Sequence, residues 1–133
     1  MGIRAVLRMY SEPSAKSVAK KAPLFRSMSR STLSQLIERS GKGVYRANDV
    51  IVRQGEREDI VYLVLTGRVR VTQARGDTAS EVIVAELGPG EVFGELAALE
   101  AQPRSATVLA LEPTSCLKVS GQDFLAALSE STS

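Results

Sequence analysis

A chain of 133 residues has room for one domain of ordinary size, and with 44% apolar and 24% charged residues it has the usage of a globular protein rather than a disordered one. The absence of histidine excludes Ser-His-Asp triads, Cys-His dyads and histidine-based zinc sites, and the single cysteine, Cys116, excludes an intramolecular disulfide and a cysteine-built metal site. The net charge of +2 hides an asymmetry: residues 1–46 carry ten Lys/Arg against two acids, a net of +8, and residues 47–133 carry a net of −6. Such a division fits a basic arm that touches nucleic acid or a membrane surface, or equally a basic solvated helix that complements its own acidic domain.

Residues 1–22 read as a basic N-terminal arm, partly helical, with a short helix over Ala15–Lys21 after the break at Ser11-Glu12-Pro13-Ser14. No apolar run long enough for a signal peptide or a membrane span occurs, which makes the cytoplasm the expected compartment. Pro23-Leu24-Phe25 begins a second element. Residues 31–39 follow as a helix with Leu33, Leu36 and Ile37 on one face, Ser31 as its N-cap, and Gly41 and Gly43 as its stop.

From Gly43 the pattern changes to short β-branched segments: 43–46, 50–53, 60–66, 69–73, 81–87, 105–111 and 114–120. Turn signals separate them, among them Ala47-Asn48-Asp49, Thr66-Gly67-Arg68, Arg75-Gly76-Asp77 and Gly88-Pro89-Gly90. Many short strands at this spacing predict an antiparallel, mainly β architecture, and the alternation in 69–72 and 81–84 predicts half-buried strands. Residues 122–128 form a closing helix that frays into Ser129–Ser133.

One stretch interrupts the strand–turn rhythm. Gly94-Glu95-Leu96-Ala97-Ala98-Leu99 predicts a helical turn over 95–99, and the chain then loops back to Pro103-Arg104-Ser105. Gly94 marks a close backbone approach or a positive φ. The free N–H groups of the turn and the planar fork of Arg104 suit a phosphate, while Glu95 suits a sugar hydroxyl. Together they describe a site for a singly charged phosphate ester of a sugar. The same Gly-Glu pair, with an arginine nine residues after Glu95, also suits a structural ion pair that closes a loop. No nucleophile or placed base accompanies them, so catalysis is not expected and neither a metal nor a cofactor is called for.

The sequence Phe93-Gly94-Glu95-Leu96-Ala97-Ala98-Leu99 followed by Pro103-Arg104-Ser105-Ala106-Thr107-Val108 resembles the phosphate-binding cassette of the cyclic nucleotide-binding domain family. That family includes regulatory subunits of protein kinase A, the catabolite activator protein and cyclic nucleotide-gated channels. The upstream stretches 50–56 and 61–71, with Gly55 and Gly67, are similar to its glycine-marked strands, and the resemblance runs from about Pro23 to Leu128. It implies a jelly-roll β-barrel (a double-stranded β-helix) flanked by N- and C-terminal α-helices, a binding domain over 23–128 and a flexible tail over 129–133.

It also implies roles for particular residues. Arg104 would hold the exocyclic oxygens of the cyclic phosphate and Glu95 the ribose 2′-OH. Backbone N–H groups of Ala97 and Ser105 would complete the cradle, with Gly94 permitting close approach and Leu96 beside it. Val71, Val84 and Leu87 match positions that line the base pocket, or simply fill the barrel core. Leu96 and Leu99 read as apolar pegs that pack the cassette on the barrel, and Glu91 as a solvated loop carboxylate. The implied ligand is cAMP or cGMP, with cAMP favoured. The implied output is a conformational change relayed through the flanking helices to a protein effector. A ligand-independent scaffold domain of the same fold is the alternative. Relatives usually continue past the 124–128 helix into a further helix that covers the base. Here the sequence runs only to Ser133, which leaves a free-standing module, a lid and effector from another chain, or a piece of a longer protein. No DNA-reading helix-turn-helix pattern is visible.

Overall fold

The computed structural model describes residues 14–76 and 80–132; the predicted behaviour of residues 1–13 and the end of the turn at Asp77 lie outside them. The basic segment contributes α1 (Ala15–Ala19), capped by the Ser14 side chain, and α2 (Pro23–Arg26), with proline in its first turn where no backbone N–H is needed. Next comes α3 (Arg30–Arg39). Its N-cap is Ser29 rather than the expected Ser31, because Ser29 holds extended backbone and its hydroxyl accepts from the Thr32 N–H at 3.1 Å. The helix ends at Ser40, so Gly41 already lies in a strand.

Eight strands follow: β1 (Gly41–Tyr45), β2 (Val50–Val52), β3 (Ile60–Thr66), β4 (Val69–Ala74), β5 (Glu81–Leu87), β6 (Val92–Phe93), β7 (Thr107–Ala110) and β8 (Thr114–Ser120). They form two antiparallel four-stranded sheets, ordered β1-β8-β3-β6 and β2-β7-β4-β5. This is the pairing order of a jelly roll, as the fold class expected from the sequence requires. The short helix α4 (Glu95–Glu100) joins β6 to β7, and α5 (Gly121–Thr132) closes the chain.

Two apolar cores explain this layering. The alternation of β3 sends Tyr62 and Val64 toward the opposing sheet, where they meet Val52, Val69 and Val108, with Cys116 of the adjacent β8 in the same core. It sends Val61, Leu63 and Leu65 to the other face, against the helices. There Phe25 of α2 meets Phe124 of α5 with ring centroids 5.5 Å apart at 50°, both rings fully buried. Val18, Ala19 and Ala22 join this core, so residues of the basic segment are built into the domain rather than trailing from it. Gly67 turns β3 into β4 at φ +91°, with no room for a Cβ beside Thr114.

Three expectations are corrected. The closing helix runs to Thr132, beyond the predicted 122–128; Glu130 accepts a hydrogen bond from the Thr32 hydroxyl at 2.9 Å and Leu128 packs on the helix-side core. β5 is not half-buried: Val82, Ile83 and Val84 are exposed because β5 is a sheet edge paired only with β4. Its register is marked on the solvent side by Arg70 opposite Glu86 at 3.0 Å, a bond that holds the Glu86 carboxyl below the usual carboxylate range. Thirdly, β6 is a strand of two residues where the sequence predicts no strand.

Cys116, fully buried in the inter-sheet core, has its thiol pushed by burial from about 9 up to about 12. In this pH window the unfolded chain has lost a proton that the folded chain keeps. Stability should therefore hold below pH 9 and fall as the pH rises from about 9 to about 12. Thermal melts of wild type and Cys116→Ala across pH 7–11 check this, with a shallower alkaline decline in the variant as the expected result. A thiol reagent should leave Cys116 untouched in the native protein at pH 8; modification at the unfolded rate would overturn the assignment.

Candidate functional site

Arg104 is the organising residue. It is 4% exposed, which for an arginine demands that its charge and donors be accommodated. Its backbone is fastened to the β2–β3 loop: the Gly55 N–H donates to the Arg104 carbonyl and the Arg104 N–H to the Glu56 carbonyl, each at 2.8 Å. Its guanidinium is held by the same loop and by the cassette. Nη1 donates to the Gly94 carbonyl at 3.1 Å, and Nη2 donates to the Ile60 carbonyl at 2.6 Å and to Glu58 Oε1 at 3.0 Å. The Tyr62 ring lies 5.8 Å from its central carbon and stacks on Phe93 at 4.7 Å. The Nε–H is buried and has no hydrogen-bond acceptor, the one such side-chain atom found among the described residues.

Gly94 makes the close approach possible. Its φ is +87°, and a Cβ there would collide with Arg104 Nη1 and lie 2.9 Å from the Ile60 carbonyl. The carbonyl of Gly94 also accepts from Ala98 at 3.4 Å, so one backbone oxygen joins the start of α4 to the guanidinium. Ala101 leaves the helix in a left-handed conformation at φ 54°, which turns the chain back to Pro103 and Arg104.

These elements surround a cavity of about 360 Å³. Gly94, Glu95, Leu96, Ala97, Arg104 and Ser105 all line it, although they come from two ends of the cassette. The opposing wall is apolar and belongs to the second sheet, with Val52, Val71, Val84 and Val108. Of the three residues that the resemblance implies for a base pocket, Val71 and Val84 line this cavity and Leu87 does not. Leu87 packs on the inter-sheet core and lines a neighbouring groove with Lys21 and Gly90. Glu95 borders both depressions, half-buried and with no hydrogen-bond or ion-pair partner among the described residues.

Other readings of the cassette change. Leu96 and Leu99 are not pegs: they are 58% and 46% exposed, and Ala98 is the residue of α4 that enters the helix-side core. A helix of six residues turns only one narrow stripe inward, and that stripe falls on Ala98. Glu91 is an exposed loop carboxylate, and it also accepts from the Gly88 N–H at 2.6 Å and so closes its own turn. Ser105 is exposed, and its carbonyl accepts from the Gln73 side chain at 2.8 Å.

Glu58 and Tyr62 are the participants that sequence reasoning missed. Glu58 is 46 residues from Arg104, in the run Glu56-Arg57-Glu58-Asp59, and only folding singles it out from its acidic neighbours. The Tyr62 hydroxyl donates to the same Glu58 oxygen at 2.7 Å. Burial first, then that hydrogen bond, push the Tyr62 phenol far above its ordinary range. No group of three potential metal-ligating side chains, and no helix long and apolar enough to cross a membrane, occurs among the described residues.

Comparisons with known proteins bear on the fold and the family. The chain is 40% identical over 82 residues to a cAMP-dependent protein kinase regulatory subunit of Dictyostelium discoideum, covering 60% of this chain and 25% of that protein. It is 33% identical over 107 residues to a cGMP-dependent protein kinase, isozyme 2, of Drosophila melanogaster, covering 79% and 12%. The chain therefore spans a quarter or less of these relatives. Among solved structures, the regulatory domain of Toxoplasma gondii PKA, crystallised with cAMP, superimposes with a TM-score of 0.81 at 26% identity, covering 87% of this chain and 44% of that one. The Thermus thermophilus catabolite activator protein gives 0.73 at 31%, covering 82% and 51%. Residues 42–131, which contain every strand but the first residue of β1 and the whole cassette, match the family model described as the cyclic nucleotide-binding domain, and the chain belongs to that family.

Proposed function

We propose that this domain binds a cyclic purine nucleotide, cAMP in preference to cGMP, and relays its arrival through α4 to the flanking helices and a protein effector. The observation that carries the reading is the buried guanidinium of Arg104, which borders a cavity of ligand size and keeps one N–H without an acceptor. A cyclic phosphate brings acceptor oxygens, which is what the free Nε–H lacks. Glu95, on the same cavity and without a partner, is placed to accept the ribose 2′-OH. The valine wall supplies an apolar surface for a base. The preference for cAMP rests on similarity to a cAMP-dependent regulatory subunit and to a cAMP-bound regulatory domain. The relay rests on α4, which packs on both β3 and α5.

Titration of the protein with cAMP, cGMP and AMP, followed by calorimetry and by amide shifts over residues 94–105, tests the reading. The expected order is cAMP tighter than cGMP, with AMP weakest because its extra charge has no second cation on the cavity wall. Glu95→Ala should weaken cAMP about tenfold, on the order of 1–1.5 kcal/mol. It should also bring cAMP and 2′-deoxy-cAMP to the same affinity. Persistent discrimination against the deoxy analogue in that variant would remove Glu95 from the ribose.

The ligand-independent scaffold is the second reading. It is favoured by the fact that Glu58 already neutralises Arg104, and a Trypanosoma brucei protein of this fold (TM-score 0.79, 25% identity) is described as the regulatory subunit of a cAMP-independent protein kinase A, solved as a triple mutant bound to cAMP. Absence of heat and of amide shifts with all three nucleotides would establish it here.

A further inference from the structure

Arg104 faces two ways. Its guanidinium borders the ligand cavity, while its carboxylate partner Glu58 lines a separate groove on the far side of α4, together with Arg57, Asp59 and Ala101. Glu58 is 38% exposed through that groove, whereas the Arg104 side chain is 3% exposed. The ion pair is thus part of the partition between the cavity and the outer surface.

The donor geometry of an arginine decides what an incoming phosphate must do. A two-bond grip on the free side of the guanidinium needs Nε–H together with the neighbouring Nη2. Nε–H has no acceptor, but Nη2 is engaged by both the Ile60 carbonyl and Glu58. One of these two must yield. Ile60 is backbone within β3, fixed by pairing with β8, and cannot withdraw without breaking the sheet. Glu58 is a side chain with an open path to solvent. Its charge also has the same sign as the phosphate, and two anions on one buried guanidinium repel.

Resting on the cyclic nucleotide reading above, we propose that Glu58 is a resident counter-ion that the ligand's phosphate displaces from Arg104, so that nucleotide binding releases a carboxylate to the groove outside α4. Glu58 is not needed to aim Arg104, which remains held by the Gly94 and Ile60 carbonyls and by two backbone bonds to Gly55 and Glu56. It acts as a competitor. Tyr62, whose hydroxyl shares the Glu58 oxygen, registers the exchange, because its hydrogen bond changes when the carboxylate moves.

The test compares cAMP binding to the wild-type chain, Glu58→Gln and Tyr62→Phe. Glutamine keeps the shape and an acceptor oxygen but removes the competing charge, so Glu58→Gln should bind cAMP about tenfold more tightly (~1.4 kcal/mol). The chain has no tryptophan and only three tyrosines, so a tyrosine difference spectrum is legible above 288 nm, clear of adenine. Saturating cAMP should produce such a spectrum in the wild type, and both variants should lack it. Tyr62→Phe removes the reporting hydroxyl and so assigns the difference spectrum to Tyr62. Unchanged or weaker binding by Glu58→Gln, in a protein whose wild type binds cAMP, overturns the displacement and leaves the function standing. No cAMP binding by the wild type, with folded protein confirmed by its melt, overturns both.

Discussion

Arg104→Ala should lose cAMP binding by on the order of 100-fold or more, equivalent to 2–3 kcal/mol or beyond, when measured by calorimetry. The expectation is large because, among the described residues, Arg104 is the one basic residue on the cavity wall and no second cation there can take over. The variant also removes the donors that satisfy the Gly94 and Ile60 carbonyls, so its melting temperature should fall as well. Arg104→Lys separates charge from geometry. An ammonium preserves the charge but cannot reproduce a planar fork, so lysine should recover only a minor part of the affinity. Equal affinity of wild type and Arg104→Ala would sink the phosphate assignment.

Gly94→Ala should lower stability by about 2–4 kcal/mol in denaturant unfolding and reduce cAMP affinity at the same time. Two costs coincide there. The left-handed backbone strains any side chain, and the added Cβ falls on Arg104 Nη1 and close to the Ile60 carbonyl. Gly55→Ala is the control: its φ of +89° imposes a similar strain, but nothing lies within 4 Å of a Cβ there. It should therefore cost only about 1–2 kcal/mol. If the two glycines respond alike, the close packing at Gly94 has no energetic consequence.

Strands punctuated by turn chemistry were legible before folding. The bounds of β3, β5 and β8 coincide with the β-branched runs, because Gly67, Gly88 and Pro113 leave the chain no freedom to extend them. The burial of those strands was less legible. The run Val82-Ile83-Val84 reads as part of a half-buried strand, yet its exposure depends on β5 having a neighbour on one side only, a property of the whole sheet order. The cap at Ser29 instead of Ser31 turned on one backbone angle in a segment with several serines. At the site, local sequence brought Gly94, Glu95 and Arg104 into view as a group. Glu58 has no local signal: among Glu56, Glu58 and Asp59, only the twist of the β2–β3 loop decides which carboxylate meets the arginine. Leu87 is a related case, since a strand residue one step past the cavity wall has the same character as one on it.

Helix α4 belongs to two parts of the molecule at once. Leu96 and Ala97 face the cavity, while Ala98, one residue on, is sealed in the core that Phe25 and Phe124 anchor. A lineage drifting toward another ligand therefore cannot rewrite this helix freely. Changes at Leu96 or Leu99 alter only what meets the ligand or the solvent, but a change at Ala98 is judged first by the packing of the helical layer. Selection on recognition and selection on folding share six residues here, and the room for divergence lies on the valine wall across the cavity.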